Sequence, residues 1–246
     1  MRFTVLGCHS PFPGPGGATP GYLLEAGGKR ILIDCGSGVL AQLGKMISPW
    51  DLDGVILSHL HHDHISDFFV LQYAIMTAMK LKKRTSPLPV WAPEKPGHWY
   101  SKLSFGNYIE KHIIKEGLTV DVGDLLNIRF YRTDHGIPCY AMNITDGTHS
   151  ILYGADSGVN TNWELMTDSP DLFICEATYL DQDLPPGPTG HLSAKQAARA
   201  ANRIQTKQLL LTHFFPGYEP EQIQQEAETV FAGKCRIAAS GLQIDL

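Results

Sequence analysis

Between Ser58 and His64 the chain reads Ser-His-Leu-His-His-Asp-His, placing four imidazoles and one carboxylate within six consecutive positions, 59 to 64. Neutral imidazole nitrogens and carboxylate oxygens are the ligands that zinc and related divalent ions select. Solvated loops draw instead on Gly, Ser, Asn, Asp, Lys and Glu. The pattern His59-x-His61-x-Asp63-His64 therefore points to metal binding. A His-rich surface loop is the weaker reading, because it accounts for neither the density nor the spacing.

Such a cluster needs elements to hold it. It follows the apolar run Val55-Ile56-Leu57, read as a strand, and precedes a segment from Ile65 to Arg84 with apolar residues at helical spacing. Lys80, Lys82, Lys83 and Arg84 close that segment and read as a solvated helix end that complements the helix dipole. Upstream, Arg2 to Leu6 reads as a strand, Pro11 to Gly21 as an irregular loop, and Tyr22 to Ile33 as a hairpin turning at Gly27-Gly28. Asp34 ends the hairpin, and a helix is expected from Val39 to Met46.

Downstream, strand after strand ends in a potential ligand or acid. Leu125 to Arg132 leads to His135, Ile151 to Ala155 leads to Asp156, Leu172 to Cys175 leads to Glu176, and Leu209 to Thr212 leads to His213. Sites in layered α/β proteins gather at strand C-termini, where loops from separate strands converge. Helices are expected at Lys102 to Glu116, at Ser193 to Arg203 with Ser193 as N-cap, and at Pro220 to Phe231. Arg236 to Ala239 and Leu242 to Leu246, either side of Ser240-Gly241, read as a final strand pair.

At 246 residues, 43% hydrophobic and 18% charged, the chain fits a globular protein with a sizeable core. A net charge of −5 excludes a global basic field for nucleic-acid binding, so an anionic substrate must be attracted locally. The five cysteines are widely spaced and form no Cys-x-x-Cys, and read as reduced core residues. No run has membrane-spanning length and no signal peptide is read, so the expected compartment is the cytoplasm.

Taken together, Asp34-Cys35-Gly36, His59-x-His61-x-Asp63-His64, His135, Asp156 and His213 resemble the metallo-β-lactamase fold superfamily. Glu176-Ala177-Thr178-Tyr179 and Gly190-His191-Leu192-Ser193-Ala194 resemble its ribonuclease Z-like branch. The resemblance implies an α+β fold, a four-layer αββα sandwich, with residues 1–246 as a single domain whose two similar halves meet near residue 120. It implies two divalent metal ions, Zn²⁺ foremost and Mn²⁺ as the alternative. His59, His61 and His135 would hold one, Asp63, His64 and His213 the other, and Asp156 would bridge. Asp34 would brace the metal loop from outside, and a homodimer is expected.

The chemistry so implied is hydrolysis of a phosphodiester by a hydroxide shared between the metals, with Asp63 among the catalytic groups. Two divalent ions set against Asp63 and Asp156 leave a local charge of about +2, which would draw an anion into a negative chain. His191, oriented by Glu176, would protonate the leaving group. Only twenty residues separate His135 from Asp156, leaving no room for the arm with which ribonucleases Z grip tRNA. The substrate class read here is a small phosphodiester or short nucleic acid. The alternatives are thioester or lactam hydrolysis on the same fold and tRNA 3′-processing. His9, near the first strand end, is a weaker candidate to line the cleft, while His62, His98, His112 and His149 read as surface residues.

Overall fold

The computed structural model describes residues 1–246 apart from Asp124. Its contacts divide the chain into two compact units, Met1–Ile114 with Ala239–Asp245, and Lys115–Ala238 with Leu246.

The first unit begins with β1 (Arg2–Gly7), β2 (Gly21–Ala26) and β3 (Lys29–Ile33), paired antiparallel in sequence order. After α1 (Val39–Leu43) come β4 (Gly54–Ile56), α2 (His62–Ile65), α3 (Phe68–Lys80), β5 (Leu88–Pro93), α4 (Gly97–Lys102) and β6 (Ile109–Ile114). Strands β3 to β6 run parallel to one another. Leu23, Leu32 and Val55 from the sheet and Leu57 just after β4 pack with Phe68, Leu71 and Ile75 from α3 in one buried cluster. Each such side chain contributes roughly 1.5–3 kcal/mol when fully removed from water.

The second unit carries β7 (Thr119–Val122), β8 (Leu126–Arg132), β9 (Tyr140–Thr145) and β10 (Ser150–Tyr153), a meander of antiparallel strands. It continues with β11 (Leu172–Glu176), α5 (Ala194–Arg203), β12 (Gln208–Thr212), α6 (Pro220–Glu228) and β13 (Lys234–Ile237), and β10 to β13 lie parallel. Parallel neighbours end on the same edge of a sheet, so β10, β11 and β12 deliver Asp156, Glu176 and His213 side by side. Ser193 caps α5, and Gln196 completes a reciprocal capping box.

Four expectations are corrected. The helix read at Lys102 to Glu116 is instead the end of α4, a turn and strand β6, whose Ile109, Ile113 and Ile114 suit a pleated edge. Six residues of β6 pair in register with β5, and that pairing overrides the local helical pattern. The segment Ile65 to Arg84 is not one helix but α2 and α3, parted at Ser66-Asp67, where the Asp67 carboxylate accepts from Leu40 N–H at 3.0 Å. Arg84 is no solvated helix end, since its guanidinium donates to the carbonyls of Trp50, Leu52, Ser86 and Pro87. The final strands do not pair with each other: β13 lies beside β12, whereas β14 (Gln243–Asp245) pairs antiparallel with β1.

All five cysteines are buried. No helix among the described residues is long and apolar enough to cross a membrane.

Candidate metal centre

The seven expected ligands fall four in the first unit and three in the second. In the first, β4 ends at Ile56 and the chain passes through Ser58 into His59, His61, Asp63 and His64, with His59 and His64 wholly buried. The carboxylate of Asp34, also buried, organises this loop. It accepts from Ser58 N–H at 2.7 Å, from Ser58 Oγ–H at 2.9 Å and from His64 Nδ1–H at 2.9 Å. With its proton given to Asp34, the Ser58 oxygen accepts from His59 Nδ1 at 3.1 Å. A carboxylate only accepts, so the chain of donors fixes both rings with Nε2 unprotonated, the form that binds a metal. The backbone at Asp34 is left-handed, with φ at 55°.

Two ligand atoms about 2.05 Å from a tetrahedral zinc lie about 3.3 Å apart. His59 Nε2 and His61 Nδ1 are 3.1 Å apart, and His64 Nε2 lies 3.7 Å from Asp63 Oδ2. The first unit thus holds two pairs at the spacing a metal spans. Ser10 Oγ donates to Asp63 Oδ2 at 3.0 Å, and Thr19 Oγ1 donates to the Asp63 carbonyl at 2.6 Å.

In the second unit, Asp156 faces two imidazoles with two different oxygens. Oδ2 lies 3.7 Å from His135 Nε2, and Oδ1 lies 3.1 Å from His213 Nε2. This is the arrangement of a carboxylate able to bridge two ions, and the donor set and spacings fit divalent metals. His135 is oriented through Nδ1–H to the Gly190 carbonyl at 2.9 Å. His213, itself left-handed with φ at 59°, donates from Nδ1 to Thr178 Oγ1 at 2.9 Å. Thr178 passes its own proton to Glu176 Oε2 at 2.6 Å. Asp34 with Ser58, and Glu176 with Thr178, are therefore the same device: a hydroxyl relays a buried carboxylate to a histidine.

Glu176 also accepts from Ser157 N–H at 2.8 Å, from Leu192 N–H at 3.1 Å and from His191 Nδ1–H at 2.9 Å. Burial alone would push its pKa up, but the charge and hydrogen bond of His191, and then the charge of His213, hold it below the ordinary carboxyl range. His191 offers a ring nitrogen within 4.8 Å of ligand atoms of Asp156 and His213.

Ser58, Thr178 and the Gly190 carbonyl were not singled out by sequence reasoning. The available signal was position: Ser58 directly precedes the first ligand, and Thr178 follows Glu176 by two. His9 is occupied with its own loop, its Nδ1 accepting from Gly14 N–H at 3.1 Å, and burial lowers its pKa. His62 is exposed and packs edge-on against Trp99, with ring centroids 4.7 Å apart. His98 is exposed, and His112 and His149 are half-buried.

Residues 29–214 match the model of the beta-lactamase superfamily domain. The chain is 36% identical over 242 residues to the probable metallo-hydrolase YhfI of Bacillus subtilis (strain 168), covering 98% of each chain. The crystal structure of YhfI superposes with a TM-score of 0.94 at 34% identity, covering 99% of this chain and 98% of that one. A ribonuclease Z of Mycobacterium bovis is 27% identical over 270 residues, covering 96% of this chain and 95% of its own. The short form of human tRNase Z shares the fold with a TM-score of 0.75 at 20% identity, covering 100% of this chain and 99% of that one. The α+β fold expected from the sequence, that of the metallo-β-lactamases, is thus the fold of the chain.

Proposed function

The chain belongs to the beta-lactamase superfamily, and from that membership and the ligand pairs in both of its units we propose that it is a dinuclear metal-dependent phosphodiesterase. Metal-dependent hydrolysis is the coarser statement, which the family carries. In the finer one, His59, His61 and His135 hold one divalent ion, Asp63, His64 and His213 hold the other, and Asp156 spans both. The two-sided presentation of Asp156 supports this division. On this reading residues 1–246 act as a single domain. Zinc is the ion the imidazole-rich set favours, with manganese as the alternative.

When bound, two such ions supply Lewis acidity and a water acidic enough to attack at neutral pH. The chain's own residues do the rest. Asp34 and Thr178 keep His59, His64 and His213 in the tautomer that presents Nε2. Glu176, ionised beneath His191, favours the imidazolium and aims Nε2 away from itself, so that this nitrogen donates a proton to the departing alkoxide. The observation that carries the phosphodiester reading is this Glu176–His191 pair at 2.9 Å. An alkoxide leaving phosphorus needs a proton far more than a thiolate leaving a thioester does.

The substrate is a small phosphodiester or short nucleic acid, met in the cytoplasm by a homodimer. Thioester or lactam hydrolysis on the same fold is the second reading. The strands β9 and β10 and their turn fill the twenty residues between His135 and Asp156, which argues against tRNA 3′-processing with a protruding arm. Protein loaded with zinc or manganese should hydrolyse bis(p-nitrophenyl) phosphate, and His59→Ala and Asp156→Ala should each abolish turnover. Activity surviving both substitutions, or faster turnover of a thioester by the same preparation, overturns the proposal.

A further inference from the structure

In the first unit, residues 8–20 form a loop without helix or strand that closes on itself. The Cys8 and His9 N–H groups both donate to the Ala18 carbonyl, at 3.1 and 3.2 Å, and Gly17 N–H donates to the Gly14 carbonyl at 2.9 Å. Gly14 N–H donates to the His9 ring, and Gly17 lies so close to that ring that a Cβ there would meet it at 2.7 Å. The loop is also fastened to the metal ligands. Buried Ser10 donates to the Asp63 carboxylate at 3.0 Å, while Thr19 donates to the Asp63 carbonyl and accepts from Ser37 N–H, each at 2.6 Å.

From this loop Phe12 meets solvent with 51% of its surface exposed. A single exposed apolar side chain is ordinary on a protein surface. Phe12 differs in two respects. Its backbone is set from both sides, by Pro11 with its own φ fixed and by Pro13, which confines the residue before it. Its Cα also lies within about 7 Å of that of Ser10, because two residues span no more. An aromatic face is thus held beside the residue that touches Asp63, with little conformational freedom left to lose on binding. A phenyl ring offers no polar group, so it selects its partner by flat contact and stacking. Among phosphodiesters, the flat partner is a nucleobase.

Resting on the phosphodiesterase reading, we infer that Phe12 is a specificity-determining residue, a stacking platform for a nucleobase joined to the phosphate at the metal centre. The substrate class narrows to base-bearing phosphodiesters. Every base has a π face, so the platform accepts all of them.

The test is titration calorimetry of the full, zinc-loaded chain with 5′-AMP and with ribose 5-phosphate, which lacks the base. The wild-type chain should bind AMP at least about fivefold more tightly, as one base–aromatic stack provides. In Phe12→Ala the two ligands should bind alike, with the affinity for ribose 5-phosphate unchanged. Phe12→Tyr keeps the ring and should keep the preference. No preference in the wild-type chain, a preference that survives in Phe12→Ala, or an equal loss of both ligands in that variant overturns the platform. A chain that shows the expected binding pattern yet hydrolyses no phosphodiester overturns the catalytic reading and leaves the platform standing.

Discussion

His191 and Glu176 are joined Nδ1 to Oε1 at 2.9 Å, with the imidazole 22% exposed and the carboxylate wholly buried. The pair therefore has an accessible end and an anchored end, as a proton donor to an outside group requires. With Nδ1 given to Glu176, Nε2 is the nitrogen that faces away from the carboxylate.

This predicts a dependence on the leaving group. For His191→Ala, turnover of a dinucleotide, whose alkoxide leaves poorly, should fall about 10²–10⁴-fold. Turnover of bis(p-nitrophenyl) phosphate, whose phenolate leaves without help, should fall less than about tenfold. Equal losses on both substrates would assign His191 to metal binding and not to proton transfer, and metal analysis of the variant separates the two.

Asp34 is the carboxylate to which His64 Nδ1, Ser58 and, through Ser58, His59 are tied. In Asp34→Asn one oxygen becomes an NH₂ group that cannot accept from His64. Affinity for zinc should drop about 10–100-fold, as for other residues that orient metal-bound histidines. Competition with a chromophoric chelator measures this, and wild-type affinity in the variant would refute the bracing role.

Gly36 allows no side chain at all. A Cβ there would lie 1.9 Å from the Asp63 carbonyl oxygen and 2.2 Å from Thr19 Oγ1. Gly36→Ala should cost about 3 kcal/mol or more, a fall in Tm on the order of 10 °C. Gly28, whose φ of +74° faces open space, should lose only about 1 kcal/mol on the same change. Comparable melting temperatures for the two variants would contradict the close approach.

Asp171 supplies a pH test away from the metal ligands. Burial would raise its pKa, but the hydrogen bonds from Lys207 Nζ at 2.6 Å and Ser150 N–H at 2.8 Å outweigh this and lower it below 3.8. A carboxyl with a depressed folded-state pKa stabilises the fold above its unfolded pKa, and that contribution fades as pH falls through the folded value. Asp171→Asn should therefore be about 1–2 kcal/mol less stable at pH 7. The gap should close below roughly pH 4, and urea melts across this range would show it.

The thiols should be inert in the native state. Burial pushes Cys8 and Cys235 up to about 12, and Cys35 and Cys175 well above their ordinary value. At pH 8 iodoacetamide should leave these four unmodified until denaturant is added, as mass spectrometry would report.

The ligand-bearing strand ends were legible in the sequence because apolar runs that stop at His, Asp or Glu are rare and local. The hairpin of β2 and β3 and the cap of α5 were legible for the same reason. What was not legible depends on distant partners. Strand β6 reads as helix until β5 is beside it, Arg84 reads as solvent-facing until the carbonyls of Trp50 and Leu52 surround it, and β14 cannot be assigned to β1 from neighbouring residues. Ser58 and Thr178 were passed over because Ser and Thr are common, and only their position between a carboxylate and a histidine makes them part of the site.

The pairing of β14 with β1 also sets an order of assembly during synthesis. Arg2, Phe3 and Thr4 await Asp245, Ile244 and Gln243, which leave the ribosome only after the whole second unit. At about 5–20 residues per second, the outer edge of β1 stays open on the order of ten seconds after Ile114 is made. During that interval the nascent first unit exposes a bare strand edge, and residues made after the second unit are the ones that cover it.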